Sequence, residues 1–256
     1  IFEDSPLGLD KWLPAVWMIA NCKNGVSSWE IHRAIGVTQK TAWFMLQRIR
    51  LAMQEDESNG GGKLGGDVEV DETYIGGKAR NMSDSRKARM GMKGKSTGFA
   101  GKVAVMGLLE RTTEGKSRVR TRVVKNNTRA TLQPIVRENV TEGATVHPDA
   151  LMSYYGLDAA YIHNVIDHAV MYVDGNVHTN GMENYWSLLK RAIKGTYVSI
   201  EPFHLFRYLD EQAFRFNNRG DNDAERFSAV IKAIVGRRLT YEALIGRTDA
   251  GSLAPA

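Results

Sequence analysis

The segment "DVEVDETYIGG", residues 67–77, constrains the fold of this chain more than any other. Val68, Val70, Glu72 and Tyr74 alternate with Glu69, Asp71, Thr73 and Ile75. A period of two puts the two sets on opposite faces of a β-strand, and Gly76-Gly77 ends it. The strand carries acids toward its middle. Two more strands follow: "KVAVMGLLERTT", buried by its apolar run and turned by Glu114-Gly115, and "SRVRTRVV". The latter places Arg118, Arg120 and Arg122 on one face, which suits an edge strand kept soluble better than a phosphate contact. A helix, "TRATLQPIVRENV", kinked at Pro134, leads to a short strand, Thr145 to Pro148, that delivers Asp149 at its end. "AYIHNVIDHA" supplies a fifth strand. The order predicts an α/β domain with a mixed five-stranded sheet and flanking helices.

"HTNGMENYWSLLKR", residues 178–191, predicts the next helix. At about 100° per residue, Asn180, Glu183, Ser187 and Lys190 share one quadrant, and Met182, Trp186, Leu189 and Ile193 share the neighbouring one. One flank packs while the other presents charge.

Ahead of the sheet, "NGVSSWEIHRAIGVTQKTAWFMLQRIRLAMQ" reads as two helices joined by a tight turn. Ser27 with Glu30 forms a capping box, and Val26 with Ile31 a hydrophobic staple. Gly36 stops the first helix and Thr38 caps the second. Ala42, Met45, Leu46, Ile49 and Met53 give the second its apolar stripe, with Gln39, Lys40, Gln47, Arg48 and Arg50 outward. A preceding helix around Pro14 to Cys22 completes a three-helix unit. The pattern is that of a helix-turn-helix, in which Thr38, Gln39, Lys40 and Trp43 would reach base edges.

The predicted boundaries are a helix-turn-helix domain at 1–56, a Gly-rich flexible linker at 57–66, the sheet domain at 67–220 and a helical tail at 221–256. The 256 residues carry one cysteine, Cys22, which excludes an internal disulfide or a cysteine-cluster zinc site within this chain and fits a reducing cytosol. No apolar run reaches membrane-spanning length. The formal charge is +5, and its distribution matters more than its size. Between Lys78 and Lys102 there are eight Lys or Arg, among them Arg86, Lys87 and Lys93, against Asp84 alone. Such a segment predicts a mobile loop suited to a polyphosphate partner. The chain starts at Ile1, which suggests a fragment missing upstream sequence.

Asp71, Asp149 and Glu183 are the parts of a two-metal site. In-line attack on a phosphodiester develops charge on the entering and leaving oxygens, and two Mg²⁺ ions about 3.5–4 Å apart stabilise both. Mg²⁺ prefers hard carboxylate oxygens and keeps several waters, so few protein ligands suffice.

With these residues in hand, the sequence resembles the DDE-type transposases of bacterial insertion sequences, and more closely the ISXO-like group. "SSWEIHRAIGVTQKTAWFMLQRIR", "VEVDETYIGGK", "VHPDALMSYYG", "VHTNGMENYWSLLKRAIKGTY" and "HLFRYLDEQAFRFNNR" carry the match over most of residues 10–220. The resemblance implies an RNase H-like fold and Mg²⁺-dependent cutting and joining of DNA at element ends, with Mn²⁺ able to substitute. It implies Asp71 and Asp149 as the first two catalytic acids and metal ligands. Glu183 would be the third and Lys190 a phosphate contact. Members of the group differ over whether Asn or Glu fills the third place, and Asn180 lies one turn earlier. Glu183 is preferred for its charge and its spacing to Lys190. His168 and His178 are more simply structural.

The resemblance further implies double-stranded DNA partners, both terminal inverted repeats and target, with the chain acting as a homo-oligomer on DNA. The setting would be a prokaryotic cytoplasm, at the nucleoid when active. A cysteine-rich zinc ribbon is common upstream in the group, and nothing here builds one. Two rival readings are a DNA-binding protein with an inactive or repurposed nuclease fold, and a carboxylate-pair hydrolase such as a glycosidase.

Overall fold

Cap chemistry written into the first fifty residues starts the second and third of three helices. A computed structural model describes residues 1–3, 5–55, 62–77, 82–89, 101–112, 117–148, 154, 161–163 and 180–245. Helix α1 spans Leu9–Asn21, α2 Ser28–Ile35 and α3 Gln39–Met53. The Ser27 hydroxyl accepts from the Glu30 N–H at 3.3 Å, and the Glu30 carboxylate accepts from the Ser27 N–H at 2.7 Å. Gly36 ends α2 at φ 68°, a left-handed conformation that a side chain would strain. The Thr38 hydroxyl then caps α3 by accepting from the Thr41 N–H at 3.1 Å. Trp12, Ile19, Ile31, Met45, Leu46 and Ile49 form the core between the three helices.

Two expectations for α3 fail. Gln47 and Arg50, predicted to face outward, are 0% and 1% exposed. Each sits beside the apolar stripe on the helical wheel, and Arg50 is buried because it has a counter-charge far along the chain.

The alternation at 67–75 becomes strand β1, Asp67–Ile75. It pairs antiparallel with β2, Val103–Arg111, which pairs antiparallel with β3, Arg118–Val124. On its other side β1 pairs in parallel with β4, Thr145–Pro148, and β4 with the two-residue β5, Ile162–His163. The order is β3-β2-β1-β4-β5. A short helix α4, Asp84–Arg89, follows β1; α5, Arg129–Asn139, links β3 to β4; and α6, Asn180–Ala192, follows β5.

Strand β3 lies at the sheet edge, as its arginines predict. Arg120 donates to the Asn139 side chain at 3.2 Å and Arg122 to Glu138 at 2.7 Å, tying the edge to the last turn of α5. Within the basic segment, expected as a loop throughout, α4 forms instead, and Lys87 lies 3.2 Å from Asp84 one turn away. The predicted linker also ends early. Leu64 is fully buried, its N–H donates to the Asn139 carbonyl and its carbonyl accepts from Thr141, so it belongs to the sheet unit.

The chain divides into two units. One comprises Lys63–Lys190 and Ser199–Phe203; the other comprises Ile1–Gly62, Arg191–Val198 and the chain from His204 onward. The helices α7, Leu205–Asn217, α8, Asp223–Ala233, and α9, Tyr241–Leu244, thus join α1–α3. Sequence places α7 with the sheet and the rest in a tail. Burial places them otherwise: Val230 and Ile234 enter the core of α1–α3, and Leu239 and Leu244 pack on Leu51.

A buried ionic cluster ties α3 to α7. Glu211 of α7, fully buried, accepts from Arg50 Nε at 2.6 Å and also from Arg215 and the Tyr197 hydroxyl. The Arg50 guanidinium lies 3.9 Å from the centre of the Tyr208 ring. Burial pushes the Glu211 carboxyl up, but Arg215 and Arg50 outweigh it and hold it below the usual carboxylate range.

Candidate active site

One face of β1 points its acids at α6. Asp67, Glu69, Asp71 and Thr73 share that face by period two, and α6 lies over it. Glu69 is 1% exposed and bonds in two directions. It accepts from Arg111 Nε at 2.6 Å and from the backbone N–H of Met182 at 2.8 Å. Met182 is in the first turn of α6, where backbone N–H groups lack helical partners, so a buried carboxylate caps the helix and complements its dipole. Two residues on, Asp71 accepts from its neighbour's N–H, that of Glu72, at 2.8 Å on Oδ1. On Oδ2 it accepts from the Trp186 indole N–H at 2.9 Å. Asp71 itself is half-buried.

Close approach of α6 requires Gly107, which pairs with Asp71 across the sheet. A Cβ there would stand 2.1 Å from Met182 Cε and 2.7 Å from Trp186 Cζ2. We therefore expect Gly107→Ala to destabilise the sheet unit by about 1–3 kcal/mol through overpacking. The midpoint of denaturant unfolding measures this; an unchanged midpoint would contradict the contact. Met182, Tyr185, Trp186 and Leu189 are buried on this side, while Asn180, Glu183, Ser187 and Lys190 are exposed on the other flank, as the periodicity predicts. Ile193 departs from the stripe: a π-helical turn, Ile193–Tyr197, begins there and carries it into the helical unit.

Strand β4 delivers the chain to the same level. Pro148 pairs with Val70, the residue before Asp71. Asp149 follows Pro148 in sequence and lies outside the described residues, as do Lys93, His168 and His178. Among the described residues no three acids, histidines or cysteines cluster to hold a metal. Asp71 and Glu183 are nonetheless hard oxygen donors of the type Mg²⁺ prefers, both reaching solvent.

Sequence reasoning missed Glu69 and gave Trp186 only a packing role. The signal was available. Glu69 shares a face with Asp71, and the four-residue step from Met182 to Trp186 rises about 6 Å, close to two residues of strand.

The expected nucleic-acid residues separate in the same way. Thr38 and Lys40 are exposed at the start of α3. Gln39 donates its amide to the Ser28 hydroxyl at 2.8 Å, and Trp43 packs edge-on against His204. Arg48 donates to the carbonyls of Leu239 at 3.1 Å and Ile1 at 3.0 Å, which holds it in the protein framework. Arg86 and Lys87 lie on α4. No helix among the described residues is long and apolar enough to cross a membrane.

The sequence that builds this mixed α/β unit matches a known family. The family described as the ISXO2-like transposase domain matches residues 63–217, and the chain belongs to it. An uncharacterized transposase-like protein of Haemophilus influenzae is 36% identical over 104 residues, 40% of this chain and 84% of that protein. An uncharacterized protein in transposable element ISH50 of Halobacterium salinarum is 27% identical over 197 residues. That match covers 75% of this chain and 64% of that protein. The family supports a role in insertion-sequence transposition.

Proposed function

We propose that this chain binds the ends of an insertion sequence and performs Mg²⁺-dependent DNA strand cleavage and strand transfer. The observation that carries the reading is the direct bond between Asp71, at the centre of the sheet, and α6, the helix that bears Glu183 and Lys190. An antiparallel meander followed by parallel β4 and β5 supports the RNase H-like fold that goes with this chemistry.

Asp71, Asp149 and Glu183 would hold the cations. Bound there, Mg²⁺ offsets charge on the entering and leaving oxygens of an in-line displacement, and Mn²⁺ would serve similarly. The protein's own part is positional: β1 presents Asp71 from the middle of the sheet, and α6 is locked to β1 at its first turn. Lys190 is exposed two turns beyond Glu183 on the same flank, placed to hold a DNA phosphate. Glu183 is favoured over Asn180 because the α6 side chains near Asp71 belong to the turn of Trp186, which contains Glu183. Asn180 opens the turn that Glu69 caps, one turn farther from Trp186.

Helices α2 and α3 would grip DNA as a helix-turn-helix through Thr38 and Lys40, with Arg86, Lys87 and Lys93 adding phosphate contacts on double-stranded end or target DNA. Lys40→Ala is expected to weaken binding to any duplex sequence and to lower the salt slope by about one counterion. Fluorescence anisotropy across a salt series measures this; an unchanged slope would remove Lys40 from the interface. The enzymatic reading is tested with a labelled duplex carrying the element's terminal repeat. Cleavage and joining in Mg²⁺ that vanish in a chelator are expected. Binding without cleavage in Mg²⁺ or Mn²⁺ would leave a DNA-binding protein on an inactive scaffold.

A further inference from the structure

We propose that Trp186 is a positioning residue, whose indole N–H fixes the orientation of Asp71 and couples it to the helix that carries Glu183. The proposal rests on the reading of Asp71 as a metal ligand.

The geometry is a two-rung register between β1 and α6. Glu69 takes the Met182 backbone N–H at 2.8 Å, and Asp71 takes the Trp186 indole N–H at 2.9 Å. Two residues along the strand and four along the helix cover nearly the same length, about 6–7 Å. A slip of α6 by one residue takes the Trp186 indole off Asp71, so the second rung fixes the register. The indole is itself immobilised. Trp186 is 4% exposed, its six-membered ring lies on Gly107 where a Cβ would be 2.8 Å from Cη2, and Tyr185 meets it at 5.2 Å and 63°.

An indole N–H only donates; it neither accepts nor titrates, so Trp186 has no acid–base part. It can set the rotamer of Asp71. With the Glu72 N–H on Oδ1 and the indole on Oδ2, the carboxylate plane is held from both ends. A carboxylate oxygen has two lone pairs, so accepting one N–H leaves it able to ligate a cation. Groups that orient metal ligands in this way typically account for about 10- to 100-fold in metal affinity or activity.

Trp186→Phe removes the N–H and keeps a ring over Gly107. The expected result is a fold that melts within a few degrees of the parent. Its half-saturating Mg²⁺ should rise, or its turnover fall, by about 10- to 100-fold. A second readout needs no activity. Of the five tryptophans, the ¹⁵N-indole resonance missing in Trp186→Phe belongs to Trp186. It should move in Asp71→Ala, and in the parent on adding Mg²⁺.

If the parent cleaves DNA and Trp186→Phe does so with the same rate and Mg²⁺ dependence, the positioning role is overturned while the functional reading stands. If the parent never cleaves, the functional reading fails, and the resonance alone decides. Movement on Mg²⁺ supports the coupling, and a stationary signal overturns it. Should Trp186→Phe not fold, Asp71→Ala is compared with the parent. One displaced indole signal supports the proposal; five unmoved signals overturn it.

Discussion

Asp71→Asn is expected to fold as the parent does and to lose on the order of a thousandfold or more in Mg²⁺-dependent cleavage. Such a loss exceeds the 10- to 100-fold cost of disturbing a group that merely orients a ligand. The substitution is chosen for what it preserves. Asparagine keeps one acceptor oxygen; turned to the Trp186 N–H it preserves the hold on α6, at the cost of the side-chain bond to the Glu72 N–H. What it removes is the negative charge and one of two hard oxygens, which a divalent cation in water cannot readily replace. Thermal melting should change little while single-turnover cleavage collapses. A variant within tenfold of the parent would take Asp71 out of the chemistry. The contrast with Gly107→Ala is informative, because that change acts on packing first.

Glu211→Gln is expected to lower the stability of the helical unit by about 3–5 kcal/mol, the usual cost of breaking a buried ion pair from one side. Arg50 and Arg215 would remain buried, 1% and 9% exposed, without their counter-charge. The amide can still accept, but it cannot offset two guanidinium groups in a low-dielectric interior.

The pH dependence gives a sign. The Glu211 carboxyl is held below its usual range, so its contribution is fully present above the unfolded value, about 4.3, and is lost as pH falls through the folded value. The gap between parent and variant should therefore be widest near neutrality and narrow in acid. A gap unchanged from pH 7 to pH 3 would contradict the ionised pairing. Asp210 works in the opposite sense. Burial, only partly opposed by Arg207, pushes it up to about 6, so its effect on stability falls as pH rises from about 4 to 6. It is common to both proteins and cancels in the difference.

How much of this was legible in the sequence follows from the range of each interaction. Ser27 with Glu30, Gly36 and Thr38 act within one helical turn, and each does what its spacing predicts. The alternation in 67–75 and the apolar stripe of α6 are likewise local, and both are realised. Arg50 was misread because a lone arginine beside an apolar stripe resembles a solvated charge, and its partner Glu211 is 161 residues away. Glu69 was passed over for the same reason: the N–H it caps belongs to Met182, 113 residues later. The helical tail could not be assigned from its own pattern, since an amphipathic helix states that one face is buried but not against what. Of the candidate site, the strand position of Asp71 and the exposure of Glu183 and Lys190 were readable, while the bond that links strand to helix was not.

The central claim is that Asp71 and Glu183 face one divalent-cation site, and iron-directed self-cleavage tests it most directly. Fe²⁺ replaces Mg²⁺ in the DNA complex, ascorbate and peroxide are added, and the peptide breaks near the metal are mapped. The account predicts breaks beside Asp71 and in the first turns of α6, suppressed by excess Mg²⁺ and lost in Glu183→Ala. Breaks confined to other segments, or unaffected by Mg²⁺ and by the substitution, would contradict it.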